Sequence, residues 1–434
     1  MKNRLVRRRL RTVFWFVAAW VVGAGAVVAG PATPPQLRYV VIVSRHGVRS
    51  PTWTSERLNP YAAEPWPQWS VPPGYLTPHG RALMQLMGAY YREWLSREHL
   101  LSPQGCGDVG RVYIHADSEQ RTLETGRALA EALLPGCAIA VHAEPEGSRD
   151  PLFDPIEAGI AKPDEELAAK ALRERLGDNP QHFLDSHRAA FEVLQFVLEE
   201  RGSAPKKLFD LPEEISVSAT GKSVQLHGPL SLASTLSENL LLEYVEGMQG
   251  KDLGWGRLNA NNLLRILELH AVYADLTRRT PYLARARGSN LLDHILLSME
   301  QAASGKALPG ALGPPGTTLL ILSGHDTNLS NLSGMLGLAW HLPGYQPDDT
   351  PPGGALIFSL WQQADTAQYF VRTQYLAPTL QQMRNTTPLT LTAPPAKEDV
   401  AVAGCESASV TLGCSWETFT KSLQKAIDNR FVSN

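Results

Sequence analysis

The sequence predicts an α/β protein, a central mixed sheet flanked by helices, with an inserted, mostly helical lobe. Two runs, Tyr39–Ser44 and Thr317–Ser323, are largely apolar rather than alternating, as strands buried on both faces are. Each ends abruptly in charged residues. From Asp154 to Arg287 the chain instead reads as helix after helix, with no strand-rich alternation. Residues 36–153 and 288–434 then form the α/β domain, and residues 154–287 the lobe.

Residues 1–30 stand outside that plan. Lys2, Arg4, Arg7, Arg8, Arg9 and Arg11 precede Val13–Gly30, which carries no charge, and Pro31-Ala-Thr-Pro-Pro35 follows. A basic start, an apolar stretch and a small-residue exit make a signal peptide. The stretch also reaches the lower length of a membrane-spanning helix, so an uncleaved anchor is the alternative. Either way the charges keep the amino end inside and the body is exported, periplasmic or secreted. Contact with membrane is expected only if the leader stays. With 40 basic against 43 acidic residues and a net charge of −3, nothing points to nucleic acid, and any electropositive site must be local. Cys106, Cys137, Cys405 and Cys414 include no Cys-x-x-Cys, and no histidines are spaced to complete a zinc site. Disulfides are therefore expected, and no metal or cofactor.

The first strand runs straight into Arg45-His46-Gly47-Val48-Arg49-Ser50-Pro51-Thr52. A buried strand has no structural use for an imidazole between two guanidiniums at its carboxyl end. That trio repels cations and suits a dianion, above all phosphate. Gly47 lets another group approach the backbone closely. The loop from Trp53 to Gly74 carries Trp53, Tyr61, Trp66 and Trp69, which either cover the mouth of a site or anchor the loop. Thr77-Pro78 starts a helix, with Thr as N-cap and Pro in the first turn. Its apolar face is Leu83, Leu86, Met87, Tyr90, Tyr91, Trp94 and Leu95.

Arg111–Ala116 reads as a second strand. Arg121 follows at a strand-to-helix junction, with a helix from Thr122 to Leu134. An arginine at a helix start opposes the helix dipole, and a bound anion relieves the conflict. In the lobe, helices are expected over Asp164–Leu176, Pro180–Glu200, Ser231–Met248, Asn261–Thr277 and Pro281–Gln301, with a hairpin over Ile215–Gln225. His182, His187 and His270 read as surface or satisfied core residues. The strand at Thr317–Ser323 ends in Gly324-His325-Asp326-Thr327-Asn328, and Leu329–Leu336 is a short helix, placing His325 and Asp326 near a positive helix terminus. Gly354–Leu360 and Gln368–Tyr375 suggest a hairpin at the edge of the sheet. Ser415 caps a last helix, Trp416–Ile427.

Arg45-His46-Gly47-Val48-Arg49-Ser50-Pro51 resembles the Arg-His-Gly-x-Arg-x-Pro signature of the histidine acid phosphatases. Tyr75–Gly80, Ala116–Thr122, Gly324–Asn328 and Asp349–Gly354 are similar to further stretches of the branch that holds bacterial phytases and periplasmic glucose-1-phosphatases. The likeness runs from about Leu37 to the last helix. It implies disulfides Cys106–Cys137 and Cys405–Cys414 and action on small phosphate monoesters; a monomer is expected.

It also implies roles. Phosphate monoesters hydrolyse very slowly without a catalyst, so a nucleophile, an anion clamp and a proton donor are all needed. His46 is the expected nucleophile, through a phosphohistidine. Arg45, Arg49 and Arg121 would clamp the phosphoryl oxygens, with His325 a further donor and Thr52 a weaker contact. Asp326 would be the general acid, and nearby arginines would lower its pKa and favour an acid pH optimum. In several phytases a lysine follows the residue that matches Thr52. Here Trp53 stands there, so no large preference for phytate over simple esters is expected. A phytase or broad acid phosphatase still ranks ahead of a glucose-1-phosphatase-like sugar phosphatase. A phosphoglycerate mutase shares the nucleophile but has no leader. A phosphate-binding module without turnover would gain nothing from Asp326.

Overall fold

The computed structural model describes residues 34–199, 212–217, 224–405 and 413–433, so the expected leader lies outside the described residues. Among those residues no helix is long and apolar enough to cross a membrane. In chain order the strands are β1 (Gln36–Arg45), β2 (Val112–Ala116), β3 (Val141–His142), β4 (Glu214–Val217), β5 (Val224–His227), β6 (Leu319–Gly324), β7 (Ala355–Gln362), β8 (Tyr369–Ala377), β9 (Ala396–Asp399) and β10 (Cys414–Ser415). The helices begin with α1 (Ser55–Leu58), α2 (Pro78–Arg97), α3 (Gln120–Leu133), α4 (Glu165–Leu176), α5 (Pro180–Ser186) and α6 (Arg188–Leu198). They continue with α7 (Pro229–Val245), α8 (Ala260–Arg278), α9 (Pro281–Ser304), α10 (Asp326–Leu336), α11 (Leu380–Arg384) and α12 (Trp416–Ala426).

Eight strands form one mixed sheet in the order β10-β8-β7-β1-β6-β2-β3, with β9 beside β8. β1, β6, β2 and β3 run parallel, and β7 and β8 run antiparallel to their neighbours. β1 is buried on both faces, as its unbroken apolar run requires. Val40 and Ile42 pack with Ile114, Ile321 and Met87, Tyr91 and Leu129 of α2 and α3. Tyr39, Val41 and Val43 face the other way, into a larger cluster with Leu320, Leu322, Leu292 of α9 and Leu332 of α10. Each such fully buried aliphatic side chain stabilises the fold by roughly 1.5–3 kcal/mol. Register then decides the chemistry. Arg45 pairs with Gly324, and Ala116 pairs with Ser323, so the next residues after the three strands (His46, His325 and Asp117) leave the sheet at one edge.

Several helices begin where the sequence predicts. Thr77 Oγ1 accepts from Gly80 N at 2.8 Å, Asp164 Oδ1 from Leu167 N at 3.0 Å, and Ser415 Oγ from Thr418 N at 3.2 Å. The expected helix over Pro180–Glu200 breaks in two at His187, whose backbone (φ −107°, ψ 10°) leaves the helical range while its Nδ1 meets Glu268 Oε1 at 2.8 Å. The hairpin in the lobe is present as β4 and β5. The β7–β8 hairpin is not at the sheet edge: β1 flanks β7, and short β9 and β10 cover β8. Two- and four-residue strands carry too little alternation to be read from sequence. Both disulfides form as expected, Cys106–Cys137 and Cys405–Cys414, spanning 31 and 9 residues. On chain entropy alone, such loops stabilise by roughly 3–4 kcal/mol and slightly less than 3 kcal/mol.

Candidate active site

The motif after β1 is held by glycine-permitted contacts. A Cβ on Gly47 would lie 2.9 Å from Gly80 O and 2.8 Å from Met84 Cγ, and one on Gly80 would lie 2.0 Å from Val48 O. Gly47 therefore admits the first turn of α2, where the sequence alone suggested close approach by whatever binds there. His46 N donates to Gly324 O at 2.9 Å, and Gly353 N donates to His46 O at 3.0 Å, so the Asp349–Gly354 stretch fixes the loop from the other side. The His46 ring is 2% exposed and its Nδ1 lies 2.8 Å from Gly47 O. A carbonyl only accepts, so Nδ1 carries the proton and Nε2 keeps its lone pair. Burial, then Arg121, Arg45, Arg49 and His325, push the His46 pKa well below the ordinary histidine value, so the ring stays neutral in acid.

Arg45 is fully buried. It donates to Thr350 O at 2.6 Å and pairs with Glu238. Arg49 donates to Ser50 O at 2.9 Å and to Glu238 Oε2 at 3.1 Å. One carboxylate thus serves two guanidiniums and leaves positive charge in surplus. Arg121, on the first turn of α3, reaches Glu119 Oε2 at 3.2 Å. The Nε atoms of Arg45, Arg49 and Arg121 are all buried with no hydrogen-bond partner. Three orphaned cationic donors in one place are costly unless an anion accepts from them. Thr52 is exposed at the rim. A Cβ on Gly74, whose φ is +80°, would be 3.6 Å from both Thr52 Cγ2 and Arg121 Nη1, so those two side chains are neighbours.

His325 lies edge-on to His46, with ring centroids 5.5 Å apart. Its Nε2 meets Asp117 Oδ2 at 2.5 Å, and Asp117 Oδ1 accepts from Ser118 N at 2.8 Å. Asp117 thereby sets the tautomer and direction of the His325 ring. Asp326 opens α10. Its Oδ1 accepts from Thr327 N at 2.8 Å, while its Oδ2 faces Arg278 Nη1 at 2.7 Å, Arg45 at 3.8 Å and His270 Nε2 at 3.9 Å. Burial alone would raise the Asp326 pKa, but Arg278, Arg45 and His270 outweigh it and hold the carboxyl well below its ordinary range.

His46, Asp326, Arg45, Arg49, Arg121 and His325 are brought together, with Thr52 beside Arg121. Asp117, Glu238, His270 and Arg278 complete the cluster, and no role was read for them from sequence. Glu238 had a signal: with Glu243 it is one of two carboxylates inside α7, a largely apolar helix. His270 departs from the expected satisfied core residue. It is 3% exposed, with Nδ1 on Ser234 Oγ at 3.0 Å and Nε2 buried without a hydrogen bond. His270 and Arg278 lie eight residues apart on one face of α8, a spacing that is plain only once the helix is known. Glu238, His270 and Asp326 have ligand atoms within 4.8 Å of one another, the closest approach to a metal arrangement among the described residues. Arg45, Arg49 and Arg278 occupy those carboxylates, so the cluster is one of ion pairs rather than a cation site.

Burial raises the Glu238 pKa, but Arg49, Arg45 and His270 overcome it and bring it from 4.5 to about 2. A depressed carboxylate contributes stability that is present above its unfolded pKa and lost as pH falls through the folded one. The stability gap between wild type and Glu238→Gln should therefore be widest above pH 5 and shrink between about 4.5 and about 2. Urea unfolding at a series of pH values measures it, and a gap that stays flat across that window contradicts the pairing.

A cavity of about 510 Å³ adjoins Asp326, with Trp53, Arg57, His227, Arg278, Arg287 and Thr327 among its walls. The loop tryptophans divide their work. Trp66 is buried, with Nε1 on Leu58 O at 3.1 Å, whereas Trp53 carries the Arg57 guanidinium 3.6 Å over its ring.

The chain matches the histidine phosphatase superfamily (branch 2) over residues 36–375. Over 404 residues it is 39% identical to phytase AppA of Escherichia coli (strain K12), covering 90% of this chain and 92% of that protein. It is 28% identical to the glucose-1-phosphatase of Providencia rettgeri over 403 residues, again covering 90% and 92%. The solved structure of Hafnia alvei phytase in complex with myo-inositol hexakis sulphate superimposes with a TM-score of 0.83 at 33% identity, covering 92% of this chain and 99% of that one. With the signature residues gathered at one sheet edge, this chain belongs to branch 2 of the histidine phosphatase superfamily, as a phosphoric monoester hydrolase of the histidine acid phosphatase type.

Proposed function

We propose that the protein is an exported acid phosphatase that hydrolyses phosphate monoesters through a phosphohistidine on His46, with inositol polyphosphates such as phytate as its preferred class. The convergence of His46, three arginines with orphaned Nε–H groups, and Asp326 carries the reaction. The basic-then-apolar leader and the paired cysteines support export. The helical lobe, residues 154–287, is read as the substrate-facing insert, because Glu238, His270, Arg278, Arg287 and much of the cavity wall come from it.

In this mechanism the neutral Nε2 of His46 attacks phosphorus in line. Arg45, Arg49, Arg121 and His325 hold the equatorial oxygens, where preorganised donors contribute most. The P–O ester bond breaks, and its electron pair leaves on the alkoxide, which takes a proton from Asp326. Water then attacks phosphorus as Asp326 accepts its proton, the Nε2–P bond breaks with its electron pair returning to His46, and inorganic phosphate departs. The dianionic substrate neutralises the clamp, so the guanidiniums no longer hold Asp326 as firmly ionised.

Trp53 suggested that a basic subsite is missing. Arg57, Arg278, Arg287 and His227 line the cavity and support the reading that other basic groups supply it. Phytate should therefore exceed glucose 1-phosphate in kcat/KM by about tenfold or more, equivalent to roughly 1.4 kcal/mol of transition-state binding. Phosphate release measured over a panel of monoesters, across pH and with and without chelator, tests this. An acid optimum insensitive to chelator, with phytate ahead, is expected. A preference for glucose 1-phosphate would favour the sugar-phosphatase reading.

A further inference from the structure

Arg278 is the last residue of α8 and sits between two roles. Its Nη1 is 2.7 Å from Asp326 Oδ2, yet the N–H does not point along the contact, so the pair is an ion pair without an aligned hydrogen bond. Its side chain is 14% exposed and forms part of the cavity wall with Arg287, Tyr273 and Thr277. The other charged and titratable groups facing Asp326 are Arg45 at the end of β1, Arg49 after it, Glu238 of α7, His270 of α8 and Tyr375 of β8. None of those forms the cavity wall. Among the charged side chains of the described residues, Arg278 alone touches both the carboxyl and the space beyond it; the neutral Thr327 does so from the other oxygen.

We propose that Arg278 is a positioning residue which a second phosphate of the substrate draws off Asp326, so that polyols with neighbouring phosphates free the proton donor and simple monoesters do not. The inference rests on the function proposed above and adds a substrate-dependent step to it. The leaving oxygen must come within reach of Asp326, and a phosphate on the adjacent ring carbon then falls beside Arg278. A dianionic phosphate offers a guanidinium two parallel hydrogen bonds and more charge than the misaligned carboxylate does. Once Arg278 turns to it, Asp326 loses its nearest positive charge and takes up a proton more readily. With a monoester, Arg278 stays on Asp326 and the donor is protonated only at lower pH.

The sign fixes the test. Turnover of the bound complex falls as pH rises through the pKa of Asp326 in that complex. In the wild type, the descending limb of kcat should lie at higher pH for phytate than for an inositol monophosphate, by about one unit or more, the scale of one adjacent charge. In Arg278→Gln the monoester limb should move up to meet the phytate limb, and KM should rise for phytate but not for the monoester. Arg278→Lys keeps the charge and should retain the wild-type separation, with thermal unfolding confirming that both variants are folded. A monoester limb that stays in place in Arg278→Gln overturns the proposal, as does an unchanged phytate KM or a lysine variant that behaves like the glutamine one. If phytate is turned over through a phosphohistidine and the limbs coincide, only this step falls. If wild type does not hydrolyse phytate, the proposed function falls first.

Discussion

Replacing His46 with alanine should lower kcat/KM by about 10⁵-fold or more, the scale of losing a covalent nucleophile. The remaining clamp has no group that can complete the in-line displacement. Arg45 and Arg49 keep their contacts to Glu238, and the buried His46 belongs to neither apolar cluster, so the variant should still fold and bind inorganic phosphate. Calorimetric titration with phosphate separates loss of chemistry from loss of the site. Substantial turnover by the variant would show that the nucleophile is another group.

Asp326→Asn should cost on the order of 10²–10⁴ in the phosphorylation step with an alkyl phosphate, the usual scale of general acid catalysis. Asparagine keeps the size of the side chain and its hydrogen bond from Thr327 N, but it cannot protonate a leaving alkoxide. An aryl phosphate leaves as a stabilised phenolate and should lose far less in that step. Asp326 also serves as base in dephosphorylation, so pre-steady-state bursts are needed to isolate the first step. Equal losses for both leaving groups would make Asp326 a structural or phosphate-binding residue.

What the sequence made legible was whatever lies on one continuous stretch. β1 and β6 could be read because burial on both faces leaves an unbroken apolar run, and their motifs follow directly from their carboxyl ends. The convergence of His46, Arg121 and His325 with Asp326 followed from three strand ends. Apart from Asp117, which follows β2, the carboxylates and cations that complete the site were not legible, because they come from helix faces. Glu238 and His270 meet Arg45 and Asp326 only through the packing of α7 and α8 on the sheet edge. Arg278 reads as a helix-terminal arginine, favourable there for the helix dipole, until the fold places it on Asp326. Arg57 escaped for a related reason. The residue after Thr52 is apolar, and the charge returns four positions later, stacked on Trp53.

The covalent intermediate is the most direct test of the account. Enzyme mixed with labelled substrate and quenched rapidly under alkaline conditions should carry label on one histidine, His46, stable to base and lost in acid. Peptide mapping of the quenched protein locates it. No label on His46 in enzyme that is turning over, or label on a serine, would contradict the central claim.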